Sequence, residues 1–242
     1  MALSDRLRAI LQLTKCYDTL ADIGTDHAYL PIEAVRNGLC RRAIACDINK
    51  GPLEVATANI RAAGFADQIE TRLGNGLAPL NEDEADCIVI SGMGGLRIWS
   101  ILQADEKKAR FAKQLILQPQ HDLEELRRNL HAAGYDITDE QLVVESASRI
   151  YVILLATYIG GAITAWMDEE YFLGKFLLQR GGVELYLRYQ REKIGRYIQS
   201  ISDCNARAIA EKRLEWIANA ENNALDYQRN AAVGTGGLGR KF

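Results

Sequence analysis

The stretch Leu20-Ala21-Asp22-Ile23-Gly24-Thr25-Asp26-His27-Ala28-Tyr29-Leu30-Pro31 constrains the fold more than any other part of the chain. An apolar run, Thr19 to Ala21, leads into an acid and a glycine. A second acid and a histidine follow, and Pro31 falls in the first turn of a helix-like segment, where proline is tolerated. That order predicts strand, tight turn and helix, the way an open α/β sheet builds a pocket at the carboxyl end of its first strand. Only one of the three glycines of a dinucleotide fingerprint is present. The pattern therefore carries weight only if later strands bring other parts of a pocket to the same edge.

They do. Leu3, Leu7, Ile10 and Leu11 recur at helical spacing behind Ser4, which predicts an opening amphipathic helix. After the first strand, Thr19 to Ile23, a helix from Ala28 to Asn37 stops at Gly38. Arg42 to Cys46 is a second strand, closed by Asp47-Ile48-Asn49, with a helix from Leu53 to Ala63 and a stop at Gly64. Ile69 to Leu73 alternates as a third strand and runs into Gly74-Asn75-Gly76. Cys87 to Ile90 is a continuous apolar strand ending in Ser91-Gly92-Met93-Gly94-Gly95, with a helix from Leu96 to Leu102. Leu115 to Leu117 ends at Gln118-Pro119, and a helix from Asp122 to Ala133 completes a fifth β-α unit. Two apolar strands then follow, Gln141 to Glu145 and Arg149 to Tyr158, separated by so short a link that only an antiparallel hairpin can join them. The fold class is α/β: a Rossmann-like, doubly wound sheet of seven strands whose last strand is antiparallel.

Beyond Gly160-Gly161 no strand signal returns. Leu173 to Leu178 predicts a short helix. Two helical stripes (Leu187, Ile194, Ile198, Ile201 and then Ala210, Leu214, Ile217, Ala218, Leu225) flank a turn at Ser202 to Asn205, predicting a C-terminal α-helical hairpin. The expected domains are 1–160 for the pocket-bearing sheet and 161–233 for the hairpin, with 234–242 a glycine-rich disordered tail.

Composition excludes several classes. With 48% apolar and 25% charged residues, the chain reads as a soluble globular protein. The acidic excess lies in residues 1–159, whereas 160–242 is slightly basic, which permits an anionic partner there. Five cysteines with no C-x-x-C spacing suit a reducing cytoplasm and argue against a bound metal. The N-terminus, with Asp5, Arg6 and Arg8, lacks the apolar core of a signal peptide. The uncharged run Ile150 to Met167 is broken by Gly160-Gly161, so it reads as a buried strand rather than a membrane span.

The strand ends therefore present Asp22 and Gly24, Asp47, Asn75, Gly92 to Gly94, and Gln118-Pro119. Asp47 follows Asp22 at about the spacing at which a carboxylate accepts both hydrogen bonds of a ribose diol. Asn75, with a donor and an acceptor, suits an adenine edge. An adenosine-containing ligand fits. A dinucleotide would set its diphosphate against the first turn, where Asp26 would repel it by roughly 1–4 kcal/mol at about 4 Å. S-adenosyl-L-methionine brings an ammonium and a sulfonium there instead, both of which acids attract. The acidic turn favours that cofactor over a nicotinamide dinucleotide.

The segments Ala21 to Pro31, Gly74-Asn75-Gly76-Leu77, Gly92-Met93-Gly94-Gly95 and Leu115-Ile116-Leu117-Gln118-Pro119 together resemble the bacterial tRNA (adenine(22)-N(1))-methyltransferases. Asn75 stands where the family pattern more often has Asp. The resemblance implies a class I methyltransferase fold and transfer of a methyl group from S-adenosyl-L-methionine to N1 of an adenine in tRNA. It implies a cofactor site of Asp22, Gly24, His27, Asp47, Ile48, Asn75, Gly76, Gly92 and Met93, with Asp26 catalytic, accepting a hydrogen bond from the adenine amino group. Gly94, Gln118 and Pro119 are expected on the substrate side. On the long helix, Arg188, Arg191 and Arg196 interleave with Tyr186, Tyr189 and Tyr197 as an RNA-binding face. Arg6, Arg8, Arg41 and Arg42 are candidates for further phosphate contacts. The expected partner is tRNA, with no membrane and no metal, and the chain is read as a monomer.

Plainer explanations compete. Asp22 and Asp26 would serve as caps of the turn and helix, His27 as a turn residue, and Gly92 to Gly95 as a strand-to-helix turn. The alternatives in function are a methyltransferase for another RNA site or a small molecule, a non-catalytic nucleotide-binding module and, remotely, a nicotinamide dehydrogenase.

Overall fold

A computed structural model describes residues 3–146, 149–180 and 182–234. Seven strands form one sheet: β1 (Tyr17–Ile23), β2 (Cys40–Asp47), β3 (Ile69–Leu73), β4 (Cys87–Met93), β5 (Gln114–Pro119), β6 (Tyr135–Ser146) and β7 (Arg149–Tyr158). Their order is β3-β2-β1-β4-β5-β7-β6. The first five run parallel, and β7 pairs antiparallel with β5, Ile116 opposite Leu155. Strand order reverses direction between β1 and β4, which places a crevice at their carboxyl ends.

The central strands are buried on both faces, as parallel strands covered by helices must be. Cys87 to Ile90 of β4 and Leu115 to Leu117 of β5 are all fully buried. Each such Ile or Leu contributes about 1.5–3 kcal/mol relative to an exposed position, an upper bound for an unfolded chain that is itself partly collapsed. The covering helices are α1 (Asp5–Leu13), α2 (Tyr29–Arg36), α3 (Lys50–Ala63), α4 (Gly95–Ala104), α5 (Glu106–Phe111) and α6 (Leu123–Ala132). Ser4 caps α1 by accepting from the Leu7 amide at 3.3 Å.

Three expectations are corrected. The β3–β4 link, residues 74–86, holds no helix, so β-α units number four rather than five. Its glycines and Pro79 fit turns, and Leu77 and Leu80 bury themselves without helical periodicity. Strand β6 starts at Tyr135, well before Gln141. Tyr135, Ile137, Glu140 and Val143 are its buried positions, and Glu140 forms an ion pair with Arg127 that is inaccessible on both sides, so the period-2 apolar signal is broken by a buried charge. The helix expected from Leu173 to Leu178 is two helices, α7 (Asp168–Leu173) and α8 (Lys175–Leu178), separated at Gly174, whose φ of +97° no helix accommodates.

The chain divides into two compact units, residues 1–145 with 151–165, and residues 146–150 with 166–242. The second holds α7, α8, α9 (Glu184–Ser200) and α10 (Cys204–Gly234). Leu187 and Ile194 of α9 and Ala210, Ile217 and Ala220 of α10 are buried, and Arg191 pairs with Glu221 across the two helices. Asp203 accepts from the Ala206 amide at 2.7 Å and opens α10. The tail expected to be disordered lies, from residue 235, outside the described residues.

Candidate active site

The turn after β1 is built by backbone. The amides of Gly24 and Thr25 both donate to the Cys46 carbonyl of β2, at 2.8 and 2.9 Å. Gly24 has a φ of +80°, a conformation that favours glycine, and the end of the Met93 side chain packs against it. The N-cap of α2 is Ala28, at a φ of 55° and without a side-chain cap. Asp26 is therefore not the helix cap, and that plainer explanation fails. The helix starts later than Asp26, and the carboxylate, three-quarters exposed, turns to His27 Nε2 at 3.2 Å. His27 Nδ1 is buried without a hydrogen-bond partner, and Asn59 holds the His27 carbonyl at 3.0 Å.

A cavity of about 750 Å³ opens beside this turn, large enough for a nucleoside-sized ligand. Arg6, Asp22, Gly24, Asp26, His27 and Gly92 are in its wall. Asp22 is the buried one. Burial pushes its carboxyl up to about 6; Thr25 offsets part of that, and the charge of Asp47 adds to it. A buried carboxylate without a cation is a site that a ligand's positive charge relieves. Asp22 at the cavity wall therefore fits the ammonium of S-adenosyl-L-methionine.

Other expected residues gather at the same strand ends outside that cavity. Asp47 Oδ1 accepts from the Asn49 amide at 2.7 Å, and Ile48 leaves more than half its surface exposed. Asn75 Oδ1 accepts from Arg97 at 3.0 Å, and Gly76 lies under Ile101. Gly94 lies under the His121 ring, where a Cβ would come within 2.3 Å of Cε1. Gly95 similarly faces the Asp122 carbonyl. Packing of the loop after β5 thus accounts for both of these glycines. Gln118 is fully buried, and its carboxamide bonds to Arg6, the Gly92 amide and the Pro119 carbonyl.

Two sets of expected RNA contacts change. Arg41 and Arg42 begin β2 and sit at the amino ends of the strands, where Asp18 engages Arg41 at 2.6 Å. In the second unit Arg188 and Arg196 are exposed and Arg191 is paired with Glu221, but Tyr186 is buried and offers no stacking face. Position in a helix, not residue type, decides which of them face solvent. The residue whose role sequence reasoning underweighted is Arg6. Its signal was a charge set within the apolar stripe of Leu3, Leu7 and Ile10.

Among the described residues no group of His, Cys, Asp and Glu is arranged to hold a metal, and no helix is long and apolar enough to cross a membrane. Residues 3–154 match a family model described as a methyltransferase domain. With the strand order above, this defines a Rossmann-like methyltransferase that uses S-adenosyl-L-methionine. A relative from Bacillus subtilis (strain 168), the tRNA (adenine(22)-N(1))-methyltransferase, is 36% identical over 182 residues, 72% of this chain and 76% of its own length. A Streptococcus pneumoniae protein solved in complex with S-adenosyl-L-methionine is 30% identical, with a TM-score of 0.81 over 90% of this chain and 99% of that one. TrmK of M. capricolum, solved with S-adenosyl-homocysteine, is 28% identical, with a TM-score of 0.79 over 90% and 97%. The chain belongs to the tRNA (adenine(22)-N(1))-methyltransferase family.

Proposed function

We propose that the protein transfers the methyl group of S-adenosyl-L-methionine to N1 of adenine 22 in tRNA. The observation that carries this reading is the meeting of Asp22, Gly24, Asp26, His27 and Gly92 around one cavity at the carboxyl ends of β1 and β4. When bound, the cofactor supplies an electrophilic methyl group on a sulfonium. The adenine N1 lone pair forms the new N–C bond as the S–C bond breaks, so no base has to remove a proton first. Positive charge passes to the adenine ring.

The protein's part is to align and to stabilise. Asp22 faces the cofactor ammonium, Asp47 the ribose diol, and Ile48 and Asn75 the adenine face and edge. Gly24, Gly76 and Gly92 let backbone approach, while His27 and Met93 close the cofactor side. Asp26, exposed to the cavity, accepts from the amino group of the target base and stabilises its developing charge. Gly94 and Pro119 stand on the base's side. The helical unit grips tRNA through Arg188 and Arg196, with Arg191 held by Glu221. Five free cysteines suit work in the cytoplasm.

The deciding experiment incubates purified protein with labelled cofactor and tRNA lacking the modification, then maps the methylated nucleotide. Label at N1 of adenine 22, lost in tRNA carrying another base there, is expected. Cofactor binding with no label in tRNA would sink the reading.

A further inference from the structure

We propose that Arg6 is an oxyanion-binding residue of this methyl-transfer site and that Gln118 is the positioning residue that aims it. Arg6 lies among the apolar positions of α1, beside Leu7 and Ile10, and so faces the sheet. Its Nη1 donates to Gln118 Oε1 at 3.2 Å, and its guanidinium lies 5.6 Å from the centre of the Tyr151 ring. A Cβ on Gly92 would be 3.6 Å from the same Nη1. The bond to Gln118 and the Tyr151 ring thus hold the guanidinium beside Gly92 at the carboxyl end of β4, in the wall of the cavity that Asp22 and Asp26 also line.

Among the described residues its guanidinium makes no ion pair, only the bond to the neutral Gln118 carboxamide. The other arginine in the wall of this cavity, Arg36, is ion-paired with Glu33. Arg6 has no such pair. A guanidinium carries five N–H donors, and the bond to Gln118 uses one. A cation held at a cavity wall with donors to spare binds a planar or tetrahedral oxyanion well.

Gln118 explains why the charge is left over. Its oxygen receives both Arg6 and the Gly92 amide, the latter at 3.1 Å, while its nitrogen donates to the Pro119 carbonyl at 2.9 Å. A carboxamide can orient a guanidinium while donating to a carbonyl, and it does so without neutralising the cation. A carboxylate of the same shape would cancel the charge and leave the Pro119 carbonyl without its donor.

The ligand chemistry is an oxyanion available from two sources: the carboxylate at the amino-acid end of the cofactor, or the phosphate beside the target nucleotide. The inference rests on the function proposed above. The full chain is tested as wild type, Arg6→Met, Arg6→Lys and Gln118→Glu, with calorimetric binding of S-adenosyl-homocysteine and steady-state methylation of unmodified tRNA at several salt concentrations. Arg6→Met keeps the alkyl stem against Tyr151, so its thermal midpoint should match wild type.

If the ligand is the carboxylate, Arg6→Met weakens S-adenosyl-homocysteine binding by about tenfold or more. If it is the phosphate, that binding holds, KM for tRNA rises by a similar factor, and the log–log salt slope falls by about one. Either result supports the proposal, and Arg6→Lys should recover part of the loss. Gln118→Glu should reproduce the loss with Arg6 still present, and combining it with Arg6→Met should add little further. A folded Arg6→Met with both constants within about twofold of wild type overturns the inference and leaves the functional reading intact. A wild-type protein that neither binds S-adenosyl-homocysteine nor methylates tRNA overturns the functional reading first.

Discussion

The two ends of the same parallel strands are built on opposite electrostatic terms. At the amino ends the charges near the sheet are matched. Asp86 accepts from the Thr19 amide at 3.1 Å and from Lys113 at 2.8 Å, Asp18 engages Arg41, and Arg42 donates to the Thr19 hydroxyl at 2.8 Å. Burial pushes the Asp86 carboxyl up, but Lys113 and the Thr19 amide outweigh it and hold it below the usual range. At the carboxyl ends Asp22 is buried and raised to about 6, and Arg6 lacks an ion pair among the described residues. One end lowers the free energy of the fold; the other holds charges in readiness for a ligand.

The comparison breaks first at Asp22. Asp22→Asn should weaken cofactor binding by about a hundredfold, since a buried charge pair loses one partner. The same substitution should stabilise the free protein at neutral pH by up to about 3 kcal/mol, the free energy of a two-unit rise in a carboxyl pKa. Urea unfolding and calorimetry on one sample read both, and a loss on both counts would show Asp22 to be structural. The wild-type pH dependence has a definite sign. A folded pKa of about 6 against an ordinary 3.8 favours the folded state below pH 3.8, and that contribution is lost as pH rises through 6. Cofactor affinity should run the other way, falling as pH drops below about 6.

Next in size, Asp26→Asn should lower the turnover number by roughly 10- to 100-fold, the worth of one hydrogen bond to a charged group, with cofactor affinity little changed. Full turnover would remove Asp26 from the chemistry. At the other end, Asp86→Ala should cost about 2 kcal/mol by stranding the Thr19 amide, while turnover per folded molecule stays at the wild-type value. Smallest of all, Arg41→Ala should change neither methylation nor the salt dependence of tRNA binding. A flattened salt slope would carry the RNA footprint to the amino ends after all.

Much of this contrast was legible along the chain, because strand ends and turn residues are local. Ile69–Leu73 and Arg149–Tyr158 match the strands expected from the sequence to the residue; of the expected site, Asp22, Gly24, Asp26, His27 and Gly92 line one cavity, and Asp47, Ile48, Asn75, Gly76 and Met93 lie outside its wall. What stayed hidden was non-local or decided by exposure. The bond from Arg6 to Gln118 joins positions 112 residues apart, and nothing in either neighbourhood announces it. The need for Gly94 and Gly95 comes from His121 and Asp122 passing over them, so two glycines of one motif answer to packing in another loop. Tyr186 reads as an aromatic of a basic helix face until the burial of that helix is known. The absence of a helix after β3 is a case in which Leu77 and Leu80 bury themselves from turns, a pattern without a period.

The place of Asp22 also bears on how the enzyme finishes a cycle. Under the role proposed for it, Asp22 attracts an ammonium that S-adenosyl-L-methionine and S-adenosyl-homocysteine share. That attraction grips the spent cofactor as firmly as the fresh one. Uniform binding of this kind lowers KM and adds nothing to the chemical step. It makes departure of S-adenosyl-homocysteine a candidate for the slowest event in turnover, and makes the ratio of the two cofactors, more than the concentration of either, the quantity that governs rate.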